Sequence, residues 1–179
     1  KKAKPAKGKP VEPAWKKIAG TPAKGPIPDG YHTVTLAIVV PRAAETIDFY
    51  KTAFGAIETE RMPAPDGKIM HAGLEFGTSK LMLSDEFPEM GGKSAATLGG
   101  SPVQIHFYVT DADAQFNKAT GAGGKASMPM ADVFWGDRYG TVTDPAGFTW
   151  GLATHKEDLT PEQMAERMKA MMAQPKPTT

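Results

Sequence analysis

An imidazole can exchange a proton or bind a metal near neutral pH, so histidines are the first residues to weigh. The chain has four, His32, His71, His106 and His155. His71 and His106 fall in apolar stretches with strand character. Glu75 follows His71 by four residues, and Gln104 precedes His106 by two. Side chains two apart on a strand share a face. Gln104, His106 and Tyr108 therefore stand together, and so do His71, Gly73 and Glu75. Such groups could contact a ligand, serve as a general base or bind a divalent metal through nitrogen and oxygen. Hydrogen-bonded structural histidines are the plainer alternative. His32 lies ahead of the first strand and reads as incidental; His155 follows the last and reads as exposed.

A second group is Trp135, Asp137, Arg138 and Tyr139. Asp137 and Arg138 could hold an anion or form a local salt bridge that orders the start of a strand. Trp135 could stack on a planar ligand or close the end of a core, whereas Trp150 reads as core. The chain has no cysteine, which excludes thiolate metal sites, cysteine nucleophiles and disulfides.

The elements that must position these residues can be read from hydrophobic spacing. Strands are expected over Val34–Val40, Ile57–Met62, Lys68–Phe76 and Lys80–Ser84, with a helix over Ala43–Phe54 stopped by Gly55. Asp85–Pro102 is rich in Gly, Ser and Pro and reads as a linker or lid loop. The pattern then restarts. A strand over Val103–Val109, a helix over Asp111–Thr120 and a strand over Ala126–Phe134 lead to a hairpin, Tyr139–Thr143 and Phe148–Thr154. Asp144-Pro145-Ala146-Gly147 supplies its turn. Thr160-Pro161-Glu162-Gln163 is a capping box opening a last helix, with Met164, Met168, Met171 and Met172 as its apolar stripe.

The two halves coincide at a shift of about 69, putting Thr35 on Gln104, Gly67 on Gly136 and Met82 on Gly151. Phe49 and Lys51 match Phe116 and Lys118 at 67, as though the second helix were reached two residues sooner. The expected fold is thus α+β, with two tandem βαβββ modules (33–86 and 102–155) inside a domain over 29–158. A C-terminal helix and tail occupy 159–179. The paired sheets would form a half-barrel with a ligand cleft between them.

Composition adds boundaries. The 179 residues carry a net charge of +1. Residues 1–24 hold eight lysines and one glutamate, so a basic stretch precedes an acidic body. Residues 1–28 have too few large apolar groups to offset ordering entropy and read as a flexible arm, with Trp15 its only base-stacking side chain. No apolar run is long enough to span a membrane, and no signal-peptide pattern is visible. The start at Lys1 leaves a removed segment open. A cytoplasmic location is expected.

Ile47-Asp48-Phe49-Tyr50-Lys51 with Phe54-Gly55-Ala56, and Asp144 through Phe148 in the hairpin, resemble signatures of the vicinal oxygen chelate superfamily. That superfamily includes glyoxalase I, extradiol dioxygenases, fosfomycin-resistance enzymes and bleomycin-resistance proteins. Phe134–Gly140 with Leu152-Ala153-Thr154-His155 resembles its glyoxalase-like or PhnB-like branch. The resemblance covers 27–158. It implies that enzymes of the family hold a divalent metal with His, Glu or Gln from the first and last strands of each module. The matching positions here are Thr35, Met82, Gln104 and Gly151. Thr is a poor ligand, Met suits soft metals and Gly offers no side chain, so Gln104 alone fits.

The expected cleft lining is Thr35, Ala37, Val39, His71, Met82, Ser84, Gln104, His106, Tyr108, Trp135, Arg138, Gly151 and Ala153. No cofactor is expected, with a divalent metal left open on Gln104, His106, His71 and Glu75. The resemblance points to a metal-independent small-molecule binder similar to bleomycin-resistance proteins. One alternative is a metal-dependent lyase, isomerase or dioxygenase with a non-standard ligand set. Another is a non-catalytic interaction protein using the basic arm and last helix. Expected partners are a small molecule, a second copy in a homodimer and, weakly, a polyanion on the Lys-rich arm, with no membrane.

Overall fold

The computed structural model describes residues 13–173. Residues 1–12 of the stretch expected as an arm (1–28) and the end of the tail (174–179) lie outside the described residues. Between 13 and 35 the chain holds one 3-10 turn, Ala14–Lys17, and no strand or α-helix.

The first module contains β1 (Leu36–Val40), α1 (Ala43–Phe54), β2 (Ile57–Pro63), β3 (Ile69–Phe76) and β4 (Ser79–Asp85). After the short helix α2 (Ala95–Leu98), the second contains β5 (Gln104–Tyr108), α3 (Ala112–Gly121), β6 (Lys125–Asp132), β7 (Asp137–Thr143) and β8 (Thr149–His155). Helix α4 (Pro161–Met172) ends the described chain. None of these helices is long and apolar enough to cross a membrane.

Each module folds into one four-stranded sheet, in the orders β1-β4-β3-β2 and β5-β8-β7-β6. The first strand of each module runs parallel to the last, and the remaining pairs are antiparallel. The connection between those parallel strands carries the helix over one face of the sheet. Ile47, Tyr50, Ala53 and Phe54 recur at helical spacing along α1 and are buried on that face. Gly55 closes α1 at φ +70°, a conformation costly for any residue with a Cβ.

The helix-covered faces of both sheets join a single core. α1 packs on α3. The ring of Trp150 in β8 lies 5.1 Å from Tyr50, 4.3 Å from Phe54 and 5.4 Å from Phe76, all first-module residues. Trp150 is thus core, as its strand position suggested. Tyr50 also donates its hydroxyl to Asp144 in the β7–β8 turn (2.7 Å), beside the Trp150 indole N–H (2.9 Å). Burial raises the pKa of both Tyr50 and Asp144, because each would have to be charged out of reach of water.

Two expectations need correction. The helices start at a constant shift, Ala43 against Ala112, and α3 instead ends two residues early. Ile47 therefore corresponds to Phe116, and Tyr50 to Ala119. Within 85–102, α2 is anchored by a fully buried Ser94. Its hydroxyl accepts the Thr97 N–H and donates to Glu86. The expected loop thus carries two helical turns, Pro88–Met90 and Ala95–Leu98.

Candidate functional site

The face of each sheet opposite its helix is the open one, and the two differ. On the second sheet, β5 presents Gln104, His106 and Tyr108, all exposed. The central strands present Gly151 and Ala153 from β8, with Tyr139 and Thr141 from β7. His106 pairs with Gly151 and Gly151 with Thr141 across the sheet; Tyr108 pairs with Ala153 and Ala153 with Tyr139. Rings cross this face in a row. His106 lies 4.6 Å from Tyr108 and stacks on Tyr139 at 5.5 Å and 17°. Trp135 meets Tyr139 edge-on at 5.4 Å, and Phe134 meets Trp135 at 5.0 Å.

Gly151 makes this row possible. A Cβ there would stand 2.7 Å from the Tyr139 hydroxyl and 2.8 Å from Gln104 Nε2. The Tyr139 ring thus lies where a side chain at position 151 would project. Gln104 donates its amide N–H to the Tyr139 hydroxyl, which keeps its own proton for another acceptor. Among the described residues nothing hydrogen-bonds to either ring nitrogen of His106, so a ligand can meet one donor and one acceptor there.

Asp137 organises the end of the row. It is 2% exposed and accepts from the Trp135 indole (2.9 Å), the Tyr108 hydroxyl (3.2 Å) and His155 Nδ1 (2.7 Å). One buried carboxylate thereby fixes two rings of the open face. Desolvation, then the Asp137 charge and its hydrogen bond, raises the Tyr108 pKa. Hydrogen bonds to Asp137 and then Asp158 raise that of His155, by favouring the imidazolium. Sequence reasoning did not join Tyr108, Asp137 and His155. Their hydrogen bonds link residues 29 and 18 apart and leave no local pattern.

The first sheet's open face is smaller-featured. Ala37 pairs with Met82, Met82 with Gly73, and Gly73 with Glu60. Ala37, Val39, His71, Met82 and Ser84 line a hollow of about 290 Å³. Beside it, Thr35, Glu60 and Met82 line another of about 480 Å³, walled by the segment from Pro26 to Thr33. His71 Nε2 contacts Glu60 at 3.3 Å, and the Thr35 hydroxyl is given to the His32 carbonyl.

The sites expected to share one cleft thus fall into two groups. Thr35 and Met82 sit in hollows that contain no second-module residue, while Gln104 and Gly151 meet at Tyr139. A cavity of about 550 Å³ does span the modules. Leu36, Phe76 and Lys80 line one side, and Ile105, His106 and Tyr108 the other. Of the four family metal positions it holds none. Arg138 is a second departure. It alternates with Asp137 and Tyr139, so it points to the helix side and forms a two-pronged pair with Asp113 of α3 (2.8 and 2.9 Å). It is thus a clamp on α3 and not part of the open face. His155 is exposed, as expected, and its ring bonds to Asp137.

The donor set does not fit a divalent metal. Position 151 has no side chain, and its space is taken by Tyr139, to whose hydroxyl the Gln104 amide N–H is given. The alternative set divides between sheets, His71 and Glu75 on β3 and Gln104 and His106 on β5. Among the described residues no group of three or more His, Asp or Glu side chains could hold a metal ion.

Residues 32–152 match a family model described as the Glyoxalase/Bleomycin resistance protein/Dioxygenase superfamily. Mb0911c of Mycobacterium bovis is 44% identical over 136 residues, covering 74% of this chain and 90% of that protein. The solved structure of the Arabidopsis thaliana gene product At5g48480 is 30% identical, with a TM-score of 0.57 over 69% of this chain and 98% of that one. TioX from Micromonospora sp. ML1 is 26% identical, with a TM-score of 0.56 over 69% and 98%.

Proposed function

The chain belongs to the glyoxalase/bleomycin resistance protein/dioxygenase superfamily, and we propose that it binds a small planar molecule without a metal ion. The row of Tyr108, His106, Tyr139 and Trp135, with both His106 ring nitrogens open, carries this reading. Rings attract flat π-systems by offset stacking and edge contacts, each worth about 0.5–1.5 kcal/mol beyond area burial. His106 and the Tyr139 hydroxyl add directional polar contacts that would select among flat ligands. The motifs at Phe134–Gly140 and Leu152–His155 favour the PhnB-like branch.

The binding unit in this reading is a homodimer. Within one chain, Thr35 and Met82 line first-sheet hollows that Gln104 and Gly151 do not reach, and the helix-covered faces are turned into the common core, so the two open faces stand apart. A second copy laid against them would complete a closed cleft. The exposed methionines of α4, Met168, Met171 and Met172, supply apolar surface for that contact.

The test is a titration of planar aromatic compounds followed by Trp135 emission. His106→Ala and Trp135→Phe are expected to weaken or abolish the signal. Affinity should survive chelation. Loss of binding with EDTA and its return with a stoichiometric divalent metal would sink the metal-independent reading.

A further inference from the structure

The segment before β1 is held on the first sheet by few contacts. Of residues 15–34, Tyr31 alone is withdrawn from solvent; the rest are exposed. Its hydroxyl donates to Glu60 (2.7 Å), its ring carries the Lys80 ammonium at 4.6 Å, and Lys80 also donates to the Asp29 carbonyl (3.3 Å). His32 Nε2 meets the Thr78 carbonyl at 3.2 Å. Gly30 fits this arrangement twice over. Its φ is +77°, and a Cβ would come within 2.9 Å of Lys80 Cε.

Beneath this segment lies the hollow of about 480 Å³, with Met82 and Thr35 on its floor and Glu60 on its wall. The segment has no ladder partner; Tyr31 on Glu60 and Lys80, the Asp29 carbonyl on Lys80 and His32 on the Thr78 carbonyl hold it. The chain thus places on the wall of its own hollow a planar ring bearing a hydrogen-bond donor. The Tyr31–Glu60 bond shows in the charge states too: it holds the Glu60 carboxyl below its ordinary range and lifts the Tyr31 phenol.

We propose that Pro26–Thr33 is a displaceable strap and that Tyr31 is an internal stand-in for a phenolic ligand. The ligand's ring would replace that of Tyr31 beside Lys80, and its hydroxyl would donate to Glu60. This rests on reading the first sheet's open face as part of the binding surface, and it names the ligand's chemistry and the gate. Access to the first hollow then requires the strap to lift, whereas the second sheet's ring row has no such cover.

A Met82→Cys substitution gives this cysteine-free chain a single thiol under the strap, and maleimide labelling reports its exposure. Adding Tyr31→Ala is expected to speed labelling about tenfold, as when a state populated about one-tenth of the time becomes the main one. Tyr31→Phe, which keeps the ring and the fold, should give a smaller rise. In the Tyr31→Ala background, millimolar 4-methylphenol should slow labelling again, and 4-methylanisole, which lacks the donor, should not. Without any phenol present, a thiol introduced by Gln104→Cys on the second sheet should label at the same rate with Tyr31 and with Tyr31→Ala. An unchanged rate at position 82, equal acceleration at both positions, or equal protection by the phenol and its ether would each overturn the proposal. No outcome depends on ligand binding at the second sheet, so the two readings fail separately.

Discussion

At Gly151 a missing side chain shapes the open face, because the Tyr139 ring uses the space. Gly151→Ala would push a methyl against the Tyr139 hydroxyl and the Gln104 amide, both under 3 Å away. Such overpacking typically costs about 1–3 kcal/mol. It should also tilt the ring row and lower affinity for a planar ligand, read by titration alongside denaturant unfolding. At His155 the pKa is raised in the folded chain, so its contribution follows protonation. That contribution is fully present below the unfolded pKa of about 6.5 and is lost as pH rises through the folded value. The difference in Tm between the parent and His155→Asn should therefore be larger near pH 6 than near pH 9. A gap that widens with pH would rule this out. The sequence made Gly151 conspicuous, because the repeat aligned it with a ligand position. It grouped Tyr139 with Trp135, Asp137 and Arg138 but gave it no role, as an aromatic residue on a strand is usually packing.

The repeated modules solve one problem in two ways. Each helix starts with backbone N–H groups that have no intrahelical acceptor. In the first module Asp85, at the end of β4, takes the Ala43 N–H (2.8 Å) and also the Ile69 N–H (2.7 Å). At the same place in the second, Thr154 of β8 takes the Ala112 N–H (2.9 Å) and gives its own proton to the Val109 carbonyl (2.9 Å). Asp85→Ala leaves two backbone donors unpaired in a buried place, each costing about 1–3 kcal/mol. Thr154→Ala leaves one such donor, so urea unfolding should show the smaller loss there. Equal losses would show that Asp85 and Thr154 are not comparable clamps. Elements of this kind were legible in outline. The strands and helices followed from spacing, and Asp144-Pro145-Ala146-Gly147 marked the last hairpin. The clamps were not legible, since each joins residues about forty positions apart. The helix offset was misread because Phe49 and Phe116 are both aromatic, while burial pairs Ile47 with Phe116.

For the whole molecule, the duplication was readable but the way its halves meet was not. Alternation along β8 gave Trp150 a helix-side position. Nothing in the sequence said that the indole would lie against Tyr50, Phe54 and Phe76 and so turn both helix-covered faces inward. With that side occupied, Thr35 and Met82 line hollows apart from Gln104 and Gly151, and β1, β2, β5 and β6 are left as sheet edges. Free edges and an exposed methionine face are surfaces that a stable chain covers or protects. Light scattering should therefore give a mass near twice the 19.1 kDa of one chain. Charging the α4 face by Met168→Glu with Met171→Glu removes two apolar contacts of about 1.5 kcal/mol each. At 1.4 kcal/mol per factor of ten, the dimer should loosen on the order of a hundredfold. A parent protein that stays at one-chain mass at high concentration would end the dimer reading. A dimer that ignores both glutamates would move its interface off α4 and onto the open faces and sheet edges alone.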